Sequence, residues 1–484
     1  MGGGLLELVA HGVQDIYLIG NPQITFFKIV YKRHTNFSME SIRATFDGTA
    51  DFGNTIVVSI PRSGDLVHTM MLEVDVPAIA STTTSGDSAT LSYVNSLGHA
   101  LIDYVELEIG GQKIDKHYGE WMEIWTQLSY NEAKQNAYDL ILPRANIDTT
   151  PNNTIAGASA TTVYIPLQFW FCRNIGLALP LVALQYHEVK LFIRFNSFNK
   201  VHTYGGAQTF TIEQSGTTVT KSSGRSGGDF VAADVNKTLT YKDGSTTTVS
   251  SLTSTTIIEV ADSKTISSSN KEEIFITPSN TLSATYSITD VRLYIDYIFL
   301  DSYERKKFAE MKHRYLIEQI QYNDGDSIAD SATNKSLELT FNLPVKALYW
   351  VSQLDNTVIT KHNDRFNFSG MLNRSETLDD PISKAVLKFN GIDRFEERKG
   401  PYFRLIQPFQ KHTRVSKLYI YMYSFCLNPE AHQPSGACNF SKINSAHLNL
   451  TFKSNIGASS VRVYALTYNV LRIFSGMGSV AFSN

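Results

Sequence analysis

Most of the chain alternates between apolar and polar residues, which is the pattern of strands that bury one face. Beyond the N-terminal segment, helical periodicity is confined to short segments, near 119–138 and 302–315. Many short strands with little helix predict an all-β protein built from sandwiches or rolls. The clearest alternating runs are 67–76, 104–109, 189–195, 294–300, 337–343, 418–426, 448–452 and 461–468.

The N-terminal residues 4–19 have a different pattern, with apolar side chains at helical spacing and polar ones on the opposite side. Gly20-Asn21-Pro22 then ends the helix, as a Gly cap followed by Pro does. We therefore predict an amphipathic N-terminal helix whose apolar face packs on its own domain, on a partner or on a lipid surface. The candidate contact residues are Leu5, Leu6, Val9, Val13 and Ile16.

The run 417–426 combines two different apolar faces in one predicted strand. Leu418, Ile420, Met422 and Cys426 form an aliphatic face, because successive side chains point to opposite sides of a sheet. The other face is aromatic and consists of Tyr419, Tyr421, Tyr423 and Phe425. Only one face can line the interior of a roll. We predict that the aromatic face meets the sister domain or another subunit; the alternative is cover by a loop of its own domain.

Three short motifs occur twice, in the same order. An alternating run ending in Gly110-Gly111 returns as one ending in Asn390-Gly391. Phe171-Cys172-Arg173-Asn174 returns as Phe425-Cys426-Leu427-Asn428, and Val291-Arg292-Leu293-Tyr294 returns as Val461-Arg462-Val463-Tyr464. Repeated motifs in one order predict two copies of one domain.

The first copy is longer than the second because of two polar stretches rich in Ser, Thr, Gly and Asn, at 143–161 and about 203–285. The second stretch is too long for a structureless loop, and its alternating pieces predict a small β-rich excursion. We divide the chain into an N-terminal amphipathic segment (1–24), a first domain (25–312) and a second domain (313–484).

Composition narrows the classes of function. The chain has 484 residues, enough for two or three domains, and a net charge of −3 with both signs interspersed, so no surface dedicated to nucleic acid is expected. Three cysteines cannot form a disulfide framework, and Cys172 and Cys426, at equivalent repeat positions inside apolar runs, are predicted to be buried thiols in a reducing compartment. The sequence shows no secretory signal and no run of about 20 apolar residues that would span a membrane.

Motifs for catalysis or cofactor binding are weak. We find no phosphate-binding loop, dinucleotide fingerprint or serine-hydrolase elbow, and we predict no catalytic, cofactor or metal site. The best candidate is His362, Asp364 and His412, which match the two-His, one-carboxylate ligand set of non-haem iron oxygenases, but such a match arises easily by chance. Of several glycosylation sequons, Asn152 and Asn236 in the polar stretches are the best candidates.

Several long runs resemble the major capsid proteins of nucleocytoplasmic large DNA viruses. The resemblance covers 3–41, continues through 296–301, 304–309 and 318–319, and returns at 433–441 and at the terminal 475–478. It departs from the compact members of that family at 203–285.

The resemblance implies two consecutive eight-stranded jelly rolls, three chains per capsomer, and capsomers that tile an icosahedral shell around an internal membrane. Its implied partners are further copies of the chain in a homotrimer, neighbouring capsomers, minor capsid and penton proteins, and the internal viral membrane. The implied location is the capsid shell of the virion, assembled in the host cytoplasm. The alternative functions are a jelly-roll carbohydrate-binding protein and a non-haem iron oxygenase.

Overall fold

A computed structural model of the chain gives its fold for most of the sequence. The residues described are 3–10, 12–15, 19, 21–23, 33–79, 91–144, 155–156, 159–204, 208–221, 230, 232–241, 245–266, 272–277, 285–329, 332–354, 365–366, 368, 380–453 and 458–482. Strands dominate these residues, and the helices are short.

The strands are numbered in chain order. Those before the barrel described below are β1 (Phe37–Ala44), β2 (Thr55–Ser59), β3 (Leu66–Val76), β4 (Leu91–Tyr93), β5 (Ile102–Ile109), β6 (Gln112–Tyr118), β7 (Ile155–Ala156), β8 (Thr161–Pro166), β9 (Leu179–Pro180), β10 (Val189–Phe195) and β11 (His202–Tyr204). The barrel strands are β12 (Gln208–Lys221), β13 (Thr238–Thr240), β14 (Thr246–Ser254), β15 (Ile257–Ile266) and β16 (Glu272–Thr277). The remainder are β17 (Asp290–Leu300), β18 (His313–Ile328), β19 (Asn334–Glu338), β20 (Pro344–Leu354), β21 (Ile382–Phe389), β22 (Ile392–Asp393), β23 (Arg398–Lys399), β24 (Tyr421–Ser424), β25 (Cys438–Asn439), β26 (Ala446–Phe452), β27 (Ser459–Phe474) and β28 (Met477–Val480).

The helices lie between the strands and at the N-terminus. The α-helices are α1 (Gly3–Val9), α2 (Leu97–Leu101), α3 (Gly119–Ser129), α4 (Gln135–Ile141), α5 (Trp170–Arg173), α6 (Ser302–Glu310) and α7 (Gln407–Lys411). A π-helical turn, Tyr402–Ile406, runs directly into α7, and the two together are called the 402–411 helix. Single 3-10 turns occur at Val13–Asp15, Glu132–Lys134, Ile175–Leu177, Leu181–Ala183, Phe198–Lys200, Ala232–Asp234 and Phe440–Lys442.

Eight strands form the first roll as two antiparallel sheets. The β1 sheet has the order β1-β17-β3-β8, and the β2 sheet has the order β2-β10-β5-β6. Inward-facing side chains of both sheets, such as Leu72, Val105 and Leu293, fill one continuous core. Along β3 and β17 buried positions alternate with partly exposed ones, as expected when one face of a sheet covers a core.

The second roll repeats this arrangement. Its β18 sheet has the order β18-β27-β20-β24, and its β19 sheet has the order β19-β26-β21-β22. Each strand therefore has a counterpart at the same place in the first roll. A separate core around Trp350, Leu387 and Phe403 lies between the two sheets. The predicted all-β fold of two eight-stranded jelly rolls is confirmed.

The repeated motifs lie at equivalent places. Val291–Tyr294 belongs to β17 and Val461–Tyr464 to β27, each the second strand of its sheet. The tight turn after β5 has Gly110 and Gly111 at φ 58° and 81°, and the turn after β21 has Asn390 and Gly391 at 50° and 81°. Two consecutive positive φ values are typical of a type I′ hairpin, which favours Asn-Gly or Gly-Gly.

The polar stretch 203–285 contains a closed five-stranded barrel, in the order β12-β15-β14-β13-β16. The barrel has a hydrophobic core of its own, which includes Val219, Phe230 and Val260. Because β12 pairs with both β15 and β16, the barrel strands leave no free edge along that seam.

Candidate assembly surfaces

The two rolls are joined by helix α3, which follows β6 of the first roll. Its side chains Trp121, Ile124, Trp125 and Leu128 recur at the spacing i, i+3, i+4, i+7, so they share one face. All four are buried in a cluster with residues of the second roll. This cluster is called the roll junction.

The roll junction covers the outer face of the β18 sheet, the face turned away from the core of the second roll. Tyr349 and Tyr464 project from this face, and each is at most 1% exposed. The Trp121 ring meets Tyr349 edge-on at 5.3 Å and Tyr464 at 5.6 Å between ring centroids. Aromatic pairs at such distances add to the free energy gained by burying their area.

Charged groups cross the junction at its rim. The Tyr464 hydroxyl donates to Glu120 Oε1 at 2.9 Å, and Arg462 donates to the other oxygen of the same carboxylate. Arg173 of α5 donates from Nη2 to Oε2 of Glu318 in β18 at 2.6 Å. These hydrogen bonds fix the orientation of one roll on the other.

The C-terminal hairpin of β27 and β28 also contacts the first roll. Gly478 donates its backbone N–H to Nδ1 of His187 at 3.2 Å, and Val480 donates to Oε1 of Gln112 at 3.2 Å. A Cβ at Gly478 would lie 2.7 Å from Cδ2 of Leu184 and 3.1 Å from Cγ2 of Ile109, so a larger residue would require these side chains to shift. The terminal Gly-Met-Gly motif thus belongs to an inter-roll contact.

The aromatic face of the 417–426 run turns toward the core of its own roll, so the predicted contact with the sister domain or another subunit is wrong for Tyr421. Tyr421 is fully buried in the second core, stacked 6.1 Å from Trp350. Tyr423 and Phe425 are partly buried and pack against the same core, as does Tyr419, which also touches the roll junction. The aliphatic residues Leu418, Ile420 and Met422 are the ones that meet the sister roll.

The N-terminal segment exposes its apolar residues. Leu6, Val9 and Val13 are 66%, 79% and 90% exposed. The side chains of Leu5 and Ile16 lie outside the described part of the chain. Nothing described covers this apolar face, so its function as a contact surface remains a prediction.

The proposed iron ligands do not form a site in the described residues. His362 and Asp364 lie outside them. The ring of His412 is buried and fully engaged: Nδ1 is 2.7 Å from Oε1 of Glu430, and Nε2 is 3.0 Å from the Tyr349 hydroxyl. Among the described residues, no group of three or more His, Cys, Asp or Glu side chains is arranged to hold a metal ion.

The two candidate glycosylation sites lie in different polar stretches, Asn152 in 143–161 and Asn236 in 203–285. Asn152 lies outside the described residues. Asn236 is exposed and follows the Ala232–Asp234 turn at a φ of 70°. Thr238, which completes its sequon, begins β13.

A buried polar network holds α3 in place. Oε2 of Glu123 lies 2.7 Å from Nδ1 of His99 and 2.6 Å from Nη2 of Arg144. Burial alone would raise the pKa of Glu123, but Arg144 and His99 outweigh burial and lower it to about 2. Burial lowers the pKa of His99, which is therefore neutral.

Comparison with known proteins places this architecture in a family. Two family models match the chain: the N-terminus of major capsid proteins over residues 25–227, and the major capsid protein of large eukaryotic DNA viruses over 304–479. Over the full length of both proteins, the chain is 36% identical to the major capsid protein of Pyramimonas orientalis virus and 34% identical to that of Paramecium bursaria Chlorella virus 1.

Solved structures agree with these matches. A quasi-atomic model of the PBCV-1 virus capsid superposes with a TM-score of 0.66 at 29% identity, covering 95% of this chain and 100% of that one. The Faustovirus major capsid protein superposes with a TM-score of 0.65 at 13% identity, covering 96% and 94%, which shows the shared fold.

The chain belongs to the major capsid proteins of large eukaryotic DNA viruses. It is a structural protein of the virus capsid and not an enzyme. Among the described helices, none is both long and apolar enough to cross a membrane.

The Glu123 network predicts a loss of stability at acid pH. The pKa of Glu123 is lower in the folded chain, so its contribution is complete above the ordinary value of 4.5 and is lost as the pH falls toward 2. Neutral His99 acts in the same direction below its ordinary value of 6.5. Glu123→Gln should lower stability at pH 7 by about 3–5 kcal/mol, because Arg144 stays buried without its partner.

The same variant should show a shallower decline of melting temperature between pH 4.5 and pH 2 than the natural chain. Calorimetry across this range measures both effects. The exposed Glu396→Gln is the control and should change stability by less than about 0.5 kcal/mol. An unchanged melting temperature for Glu123→Gln at pH 7 would contradict the assignment.

Proposed function

We propose that three copies of this chain close into a ring-shaped capsomer and that such capsomers tile an icosahedral shell. The observation that carries the proposal is the matching strand order of the two rolls. Three chains with two equivalent lobes each, 25–312 and 313–484, give six lobes around one axis. A six-lobed outline packs a plane without gaps, whereas a threefold outline of unlike lobes does not.

The surroundings of this capsomer follow from its location in a capsid shell. Neighbouring capsomers would meet at the sides of the rolls, and minor capsid and penton proteins would occupy the inner face and the vertices. The family resemblance supports assembly in the host cytoplasm. No described feature favours carbohydrate binding or iron-dependent oxidation.

The stoichiometry is directly measurable. Purified protein should have three times the mass of one chain in gel filtration with multi-angle light scattering. The trimer should persist on dilution, because closed rings are held by several contacts at once. A stable monomer or dimer at capsid-like concentrations would refute the proposal.

We further propose that the N-terminal segment binds beneath the shell, to the internal membrane or to a minor capsid protein. Its exposed Leu6, Val9 and Val13 support this, because an apolar face is poorly left in water.

Vesicle flotation distinguishes the two partners. The natural chain should float with vesicles of phosphatidylcholine and phosphatidylserine, and a variant with Glu at positions 6, 9 and 13 should not. Both proteins should keep the three-chain mass, since the segment precedes the rolls. If the natural chain stays at the bottom of the gradient, binding to the membrane is refuted.

Asn236 is proposed as a glycosylation site, on the evidence of its exposed turn and of Thr238 in the sequon. Peptide mass spectrometry of virion protein should find a sugar there and none after Asn236→Gln. Asn449 is an internal control, because this sequon lies within β26 and its side chain accepts a hydrogen bond from Ser336 at 2.7 Å. Sugar at Asn449 but not at Asn236 would contradict the assignment.

A further inference from the structure

The second roll carries a helix equivalent to α3 on which two apolar side chains, Ile406 and Phe409, are exposed. Gly119 at the start of α3 has no room for a side chain, because the carbonyls of His99 and Ile102 lie against it. Gly400, before the 402–411 helix, is packed in the same way against the carbonyl of Ile382. These glycines occupy the same place, because Ile102 and Ile382 are the first residues of the equivalent strands β5 and β21.

Residues at the same distance along the chain from these two glycines are equivalent. Trp125 is therefore equivalent to Ile406, and Leu128 to Phe409. Trp125 and Leu128 are buried in the roll junction. Ile406 and Phe409 are 47% and 80% exposed. The same apolar positions are thus covered in the first roll and uncovered in the second.

The surface that such a helix covers also has an uncovered counterpart. In the second roll Tyr464 pairs with Tyr349, which pairs with Met422, and all three are buried at the junction. At the matching register of the first roll, Tyr294 pairs with Met71, which pairs with Pro166. These last three residues are apolar and partly exposed on the outer face of the β1 sheet.

The edge strands differ in the same sense. Residues 315–323 of β18 are buried or partly buried and Ile317 packs into the first core, whereas the first five residues of its counterpart β1 are all exposed. Met39 in β1 is 45% exposed. Met39 pairs with Ile298, four residues beyond Tyr294, and Glu318 pairs with Tyr468, four residues beyond Tyr464. Met39 is therefore the counterpart of Glu318.

The partner of Glu318 has a counterpart as well. Arg173 precedes Asn174, whose side chain accepts from the N–H two residues on, and Leu427 precedes Asn428, which does the same. Leu427 is 73% exposed. The ion pair Arg173–Glu318 inside the chain thus corresponds to two exposed apolar residues, Leu427 and Met39.

We infer that the contact between chains repeats the roll junction: the 402–411 helix and Leu427 of one copy dock on the outer face of the β1 sheet of the next, with Leu427 against Met39. This inference rests on the proposed trimer and names the surfaces that form it. Arg173 and Glu318 are both replaced by apolar residues at the equivalent positions. This fits a contact of the same geometry that is ionic within the chain and apolar between chains.

A second substitution supports the same docking. Glu120, which neutralises Arg462 across the junction, is matched by Pro401, which has no charge to offer. The counterpart of Arg462 is Arg292, and it pairs instead with Glu73 and Asp75 of its own sheet. On the neighbouring strand Arg462 lies opposite Val351, whereas Arg292 lies opposite Glu73. The β1 sheet therefore needs no carboxylate from the helix that covers it.

Replacing the two apolar residues by an ion pair tests the contact. Met39→Glu and Leu427→Arg should each weaken trimer formation by at least about tenfold, because a lone charge would be buried against an apolar partner. The double variant should restore trimers, because it recreates between chains the pair that Arg173 and Glu318 form within one. Light scattering over a dilution series measures the association, and circular dichroism checks the fold.

The outcomes separate this contact from the trimer itself. Met311→Glu alters a methionine of similar exposure, 52%, outside the proposed surface and should trimerise like the natural chain. Single variants that trimerise normally, or a double variant that stays dissociated, would overturn the Leu427–Met39 contact while leaving the trimer intact. A natural chain that is monomeric would refute the trimer and this contact together.

Discussion

The structure depends on the cover that an apolar helix face gives to the outer side of a β-sheet. A jelly roll buries the inner faces of its two sheets, and its outer faces are ordinarily wet. In the second roll the outer face of the β18 sheet is apolar, and α3 covers it with two tryptophans. This contact joins the rolls together with Ile317, Leu471 and Ile473 of the second roll, which pack into the core of the first. Burial of apolar surface provides most of the free energy that holds the rolls together. The ion pairs at the rim of the junction and the C-terminal hairpin fix their relative orientation.

Much of this architecture could be predicted from the sequence, because strands and tight turns are encoded locally. The alternation along β17 and β27, and the Gly-Gly and Asn-Gly pairs after β5 and β21, are enough to identify equivalent elements in the two halves of the chain. The junction could not be predicted in the same way. Alternation shows that the 417–426 run has two apolar faces, but it does not show which one meets the core. The pattern alone therefore does not decide that Tyr421 faces the second core and Ile420 the roll junction.

The side of the 417–426 run that faces the junction is indicated by the sequence of α3 and not by that of the strand. The spacing of Trp121, Ile124, Trp125 and Leu128 is a strong sign of an apolar helix face, and pairing it with the aliphatic face of the strand would have given the right assignment. Buried charge is harder still to foresee. Glu123, His99 and Arg144 come from three separate segments, and only the tertiary fold brings them together. The match of His362, Asp364 and His412 to an iron-ligand set was weak already in the sequence, and in the structure both ring nitrogens of His412 are engaged by Glu430 and Tyr349.

The C-terminal hairpin has a consequence for how the chain is made. His187 is bonded to Gly478, 291 residues further along, and β1 must wait for β17 before it can pair. On the ribosome the first half of the polypeptide is therefore exposed long before its last contacts emerge. Only a finished chain has both lobes locked in their mutual orientation, so an unfinished one lacks the outline that a growing shell accepts.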